Sequence, residues 1–227
     1  LDYLLDGQAT IPPDFGVFLD VTWRMHPDVC RFISDAVYEG RLTHHPKTEQ
    51  RRILPPKSAT YVQRQTGVLY VPVTHTGNTQ CSEEEVDRIE AIVGELLKGQ
   101  IEDEGKMRSL TLQDILFVAP YNMQVRRLGQ RLGKDARVGS VDKFQGLEAP
   151  VVIVSMCAST LEDSPRGAEF LLNRNRLNVA ISRARCLSIV VGSPAIMTAR
   201  CQTIDQMQLV NLYCRIVDYS QKLGSQE

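Results

Sequence analysis

The chain has 227 residues, 43% hydrophobic and 23% charged, an ordinary composition for a soluble globular protein with enough length to bury one sizeable core. Lys+Arg 26 against Asp+Glu 27 leaves a net charge of -1, so no overall basic excess marks a nucleic-acid binder. The longest apolar run, Val151 to Ala158, is far short of the ~20 residues that span a bilayer. The six cysteines are scattered without a C-x-x-C pair, which fits a reducing cytoplasm better than a disulfide framework or a zinc site.

Residues 1–16 read as a lead-in, ended by the turn Ile11-Pro12-Pro13-Asp14, and the start at Leu1 suggests a piece of something longer. Val17 to Val21 reads as a strand. Pro27 opens a helix through Tyr38, stopped by Gly40. Residues 41–65 carry prolines and a basic cluster (Arg41, Lys47, Arg51, Arg52, Lys57, Arg64) against one acid, Glu49. They are expected to be a loop insertion, either solvated or tracking a polyanion. Gly67 to Val73 reads as a strand.

Ser82-Glu83-Glu84-Glu85 has the form of a capping box, and Ile89, Ile92, Val93, Leu96 and Leu97 continue it as an amphipathic helix to about Lys98. Strands are expected at Ile115–Ala119, Arg137–Val141, Val151–Cys157 and Leu187–Gly192. Helices are expected at Gln124–Leu132, Asn173–Arg185 and within Thr203–Ser220. Strands alternating with helices, several of them apolar throughout, imply an α/β fold: a mainly parallel sheet covered by helices on both faces.

Three stretches concentrate polar chemistry beside apolar runs. Ala119-Pro120-Tyr121-Asn122-Met123-Gln124 follows a strand, so Tyr121 could stack on a base and Gln124 could hydrogen-bond. Ser140 to Glu148 places Ser140, Asp142, Gln145, Gly146 and Glu148 in one turn, where glycine permits close approach to phosphate and a carboxylate suits ribose hydroxyls. Leu177-Asn178-Val179-Ala180-Ile181-Ser182-Arg183-Ala184-Arg185 carries arginines opposite an apolar face. Arginine suits charge developing on a transferring phosphoryl group. The phosphate-cradling pattern G-x-x-x-x-G-K-[ST] is absent from the sequence.

Taken with Thr22 to Pro27 (Thr-Trp-Arg-Met-His-Pro) and Tyr38-Glu39-Gly40, these blocks in this order resemble the second RecA-like domain of superfamily 1 helicases. The similarity is greatest to the branch of the nonsense-mediated-decay helicase, the replication nuclease-helicase and bacterial nuclease–helicase fusions. The resemblance spans roughly Val17 to Gly192 and implies a RecA-like P-loop NTPase-type fold lacking the Walker A loop. Residues 17–200 would be the helicase domain and 201–227 a C-terminal helix. It implies that Arg24 and Arg183 are arginine fingers toward ATP, that Trp23 stacks on adenine in place of the family's tyrosine, and that Gly146 and Glu148 meet phosphate and ribose. Tyr121, Gln124, Ser140, Asp142 and Gln145 would face nucleic acid. ATP and Mg²⁺ would be held mainly by a first RecA-like domain. Single-stranded nucleic acid, DNA favoured over RNA, would be moved along 5′ to 3′, with a fused nuclease domain as a further partner and no membrane. A degenerate binding module without ATPase activity is the alternative.

Overall fold

The computed structural model describes residues 11–12, 14–144 and 146–224. Five strands build the central sheet in the order β4-β10-β9-β7-β8, all parallel: β4 (Gly67–Pro72), β7 (Ile115–Val118), β8 (Arg137–Gly139), β9 (Ala149–Ser155) and β10 (Ala184–Gly192). β9, between β7 and β10, is buried at every residue. That is why it reads as a continuous apolar run rather than an alternation.

The register levels Ile115, Val151 and Leu187 across three strands, and the pleat then sorts the core. Ile115, Phe117, Val151, Ile153, Ile189 and Val191 point to one face, where α2 (Glu83–Leu96) lays down Val86, Ile89, Ile92, Val93 and Leu96, and Leu128 comes from α3 (Asn122–Leu132). Leu116, Val118, Val152, Val154 and Val190 point to the other. There they meet α1 (Pro27–Val37), α4 (Gly167–Leu171), α5 (Arg174–Ile181) and α6 (Ile204–Gly224). Each such aliphatic side chain contributes about 1.5–3 kcal/mol by leaving water. This is the expected α/β architecture, a parallel sheet with helices on both faces.

Several expectations change. Of Val17–Val21 only Val21 joins a strand, β1 (Val21–Thr22), parallel to β2 (Thr43–His44). Val17 and Leu19 are 85% and 82% exposed, so the alternation has no sheet to bury it. The segment 41–65 holds β2, a 3₁₀ turn Pro46–Thr48 and β3 (Arg52–Leu54) rather than a featureless loop. Arg51 and Arg64 of its basic cluster are buried, not solvated or tracking a polyanion. β3 pairs with a hairpin absent from the sequence reading, β5 (Gln100–Asp103) and β6 (Lys106–Ser109), as a small antiparallel sheet. Helix α5 ends at Ile181, because the chain turns at Ser182–Arg183 to start β10. The capping box is half formed: Ser82 Oγ accepts from the Glu85 amide at 3.1 Å, but the Ser82 amide donates to Gln124 Oε1 at 2.9 Å. Residues 1–10 and 13 of the lead-in, and 225–227, lie outside the described residues.

Candidate functional site

The sheet's amino-terminal edge gathers most of the candidate residues. β1 runs into α1 through Trp23-Arg24-Met25-His26, and the turn is fixed locally. His26 caps α1, its Nδ1 accepting from the Asp28 amide at 3.2 Å, with Pro27 in the first turn where no N–H is needed. The His26 amide donates to the Arg185 carbonyl at 2.8 Å, which pins the segment beside the start of β10. Trp23 is 62% exposed, with its indole stacked on His45 at 3.4 Å between ring centroids and 18° between planes.

Arg24 Nε donates to Glu148 Oε2 at 2.9 Å, and its Nη1 reaches the Ser182 carbonyl at 3.4 Å. Arg183 follows directly. It is 6% exposed, its Nη1 donates to the Leu147 carbonyl at 2.8 Å, and its buried Nε has no partner among the described residues. No carboxylate pairs with it among those residues either. Burial, and secondarily the charge of Arg24, lowers the Arg183 guanidinium from its ordinary value. Arg183 thus lies near enough to Arg24 to feel its charge, but Glu148 pairs with Arg24 and Arg185 and not with Arg183. An anion arriving here would relieve the repulsion between Arg24 and Arg183 and satisfy the orphaned donor. A cavity of about 570 Å³ opens over Trp23, Arg24, Glu148 and Ser182, and a groove of about 350 Å³ exposes Arg183 beside Asp142 and Arg176.

Glu148 ends the turn from β8 to β9. Gly146 in that turn is exposed with φ +78, a conformation that favours glycine, and open space surrounds it. Asp142 is exposed, 3.9 Å from Arg176, and Ser140 is half-buried at the end of β8. Gln145 lies outside the described residues. Two candidates are used up internally. Tyr121 is 5% exposed, its hydroxyl 2.7 Å from Ser164 Oγ and its ring against Phe170, so it has no free face for a base. Gln124 is fully buried, its amide donating to Ser155 Oγ at 2.8 Å while accepting from Ser82. Both side chains are engaged at the carboxyl end of the sheet.

A family model described as AAA domain matches residues 5–195. The chain belongs to that family. Relatives of this AAA domain include a Regulator of nonsense transcripts 1 homolog of Drosophila melanogaster, 30% identical over 193 residues, which covers 79% of this chain and 15% of that protein. DNA polymerase alpha-associated DNA helicase A of Schizosaccharomyces pombe is 30% identical over 194 residues, 77% of this chain and 27% of that one. DNA-binding protein SMUBP-2 of Mesocricetus auratus is 31% identical over 183 residues, 74% and 17% of the two chains. Among solved structures, the C-terminal domain of a possible DNA helicase from Lactobacillus plantarun WCFS1 aligns over 77% of this chain and 92% of its own. Its 14% identity and TM-score of 0.39 are too low to compare residues. These similarities place the AAA domain among helicase-family proteins. The chain spans only 15 to 27% of the length of the three relatives named.

Residues beyond the sequence reading complete the site. Arg51 donates from one nitrogen to the carbonyls of Trp23 (3.0 Å) and Arg24 (2.9 Å), and from Nε to Asp103 Oδ1 at 3.1 Å. Arg185 bonds the other oxygen of Asp103. On the Asp142 side, Phe170 carries guanidiniums of Arg166 and Arg176 within 3.9 and 4.5 Å of its ring centre. Arg51 and Arg185 were visible in the sequence as members of arginine-rich stretches, without their partners. Asp103 lies on a polar hairpin with no signal of its own. Among the described residues, no group of three or more His, Cys, Asp or Glu gathers to hold a metal ion, and no helix is long and apolar enough to cross a membrane.

Proposed function

We propose that this domain is the second motor domain of an ATP-driven helicase or translocase, closing on a nucleotide held by a first RecA-like domain of the same protein. The observation that carries the reading is the convergence of Arg24 with a buried Arg183 that has no acidic partner among the described residues. Such a cation is costly unless an anion completes it, and a phosphate presented across the cleft is that anion. ATP with Mg²⁺ would supply the phosphoryl group whose transfer to water drives the cycle.

The residues here would then divide the work. Trp23 offers an exposed aromatic face to the base, although His45 covers one side of it. Glu148 can accept from ribose hydroxyls only by sharing its oxygens with Arg24. Arg24 and Arg183 stabilise charge developing on the phosphoryl oxygens, a contribution of about 10³–10⁵ in rate where such arginines operate. Asp142 faces the groove beside Arg176 and Arg183, which suits the backbone of a single strand. The resemblance to bacterial fusions favours DNA as the track and movement 5′ to 3′.

The test is ATPase activity of the full-length protein that carries this domain, with and without single-stranded DNA or RNA. Strong stimulation by one polymer, lost in Arg183→Ala with binding of the polymer retained, is the expected result. Binding of nucleic acid with no hydrolysis under any condition would point to a degenerate binding module instead.

A further inference from the structure

Arg24 ends a chain of five alternating charges that begins on the opposite side of the site. Arg51, on the segment before β3, is 9% exposed and binds Asp103 at 3.1 Å. Asp103 binds Arg185 through its other oxygen. Arg185 Nε lies 3.7 Å from Glu148 Oε1, and Glu148 Oε2 accepts from Arg24 at 2.9 Å. The chain closes on itself, because the same Arg51 nitrogen holds the carbonyls of Trp23 and Arg24.

Two backbone features aim the middle of this chain. Asp103 starts a two-residue hairpin turn in which Glu104 (φ 52) and Gly105 (φ 77) are both left-handed, the twist-matched geometry that fixes a hairpin's register. Between Ala184 and Leu187, β10 contains one residue more than its partner β9, a bulge that turns Arg185 out of the sheet's ordinary alternation. Both converge on Asp103.

We infer that Asp103 and Arg51 are positioning residues for Arg24: the β5–β6 hairpin sets where that guanidinium points and so its reach toward phosphate. The inference rests on the functional reading above for its effect on turnover, but not for its effect on geometry. Asp103 and Arg51 touch no part of the proposed nucleotide; they act through the backbone of Trp23–Arg24 and through Arg185 and Glu148.

Two readouts test it. Trp23 is the single tryptophan, so time-resolved fluorescence anisotropy of this chain reports the held segment directly. In Asp103→Ala, and in the milder Asp103→Asn and Arg51→Lys, the amplitude of fast indole motion should rise at least about twofold with the melting curve still cooperative. An unchanged decay overturns the inference. In the full-length protein, Asp103→Ala should lower kcat by about 10- to 100-fold, and should lower kcat no further in an Arg24→Ala background. An equal loss in both backgrounds would show a purely structural role and overturn it. If the wild-type protein does not hydrolyse ATP, the functional reading fails while the Trp23 measurement still decides the positioning.

Discussion

Removing the Glu85 carboxylate should be among the most damaging single changes to this domain. Glu85 lies in the first turn of α2, fully buried. Its Oε2 accepts from Ser155 Oγ at 2.5 Å, both oxygens accept from the Cys157 amide at 3.0 Å, and Oε1 lies 3.1 Å from His75 Nε2. Cys157 has φ 56, a left-handed conformation that costs a non-glycine residue about 1–2 kcal/mol, so this carboxylate also holds the kink that ends β9. Glu85→Ala leaves these three buried groups without an acceptor or partner. At about 1–3 kcal/mol each, with partial relaxation, the cost is about 3–5 kcal/mol. For a domain of this size that is a fall in Tm of about 6–20 °C, readable by calorimetry. Glu85→Gln keeps an acceptor oxygen and should cost about half as much. A loss below about 1 kcal/mol for Glu85→Ala would refute the network's role.

Other expectations are independent of this one. Burial lowers the His26 imidazole below its ordinary 6.5, against an opposing pull from Asp28, so the unfolded chain binds more protons than the folded one as pH falls through 6.5. Stability supplied by neutral His26 is therefore full above that pH and declines below it, and His26→Asn, which keeps a capping oxygen, should flatten the slope of ΔG against pH below 6.5. Gly192→Ala would bring a Cβ to 2.5 Å from the Tyr213 hydroxyl and 2.9 Å from Met156 Cγ, and should destabilise by about 1–3 kcal/mol in urea titration. Burial pushes the Cys30 thiol up to about 11 and Cys186 to about 12, so both should resist alkylation in the native state while half-buried Cys81, Cys201 and Cys214 react sooner; mass-spectrometric labelling checks the order.

The parallel sheet was legible because β9 and β10 are covered on both faces and carry short β-branched runs, residues 151–154 and 189–191. The hairpin β5–β6 was not, because all four residues of β6 are exposed and its sequence has no apolar alternation. Burial decided the candidate residues in the same way. Nothing local tells that the Tyr121 ring meets Phe170, or that Gln124 is enclosed by Ser82 and Ser155, since those walls come from distant segments. Arg24, Glu148 and Arg183 are candidates through their motifs, and the structure adds what motifs lack: Arg24 is paired, while Arg183 is buried without an acid among the described residues.

The central claim, that these two arginines serve a phosphoryl group in transit, is tested most directly by affinity for a transition-state mimic. Binding of ADP with aluminium fluoride by the full-length protein should weaken by about 10²–10³-fold in Arg183→Ala and in Arg24→Ala, while ATP affinity changes by less than about threefold. Equal weakening for both ligands, or none for either, would contradict it.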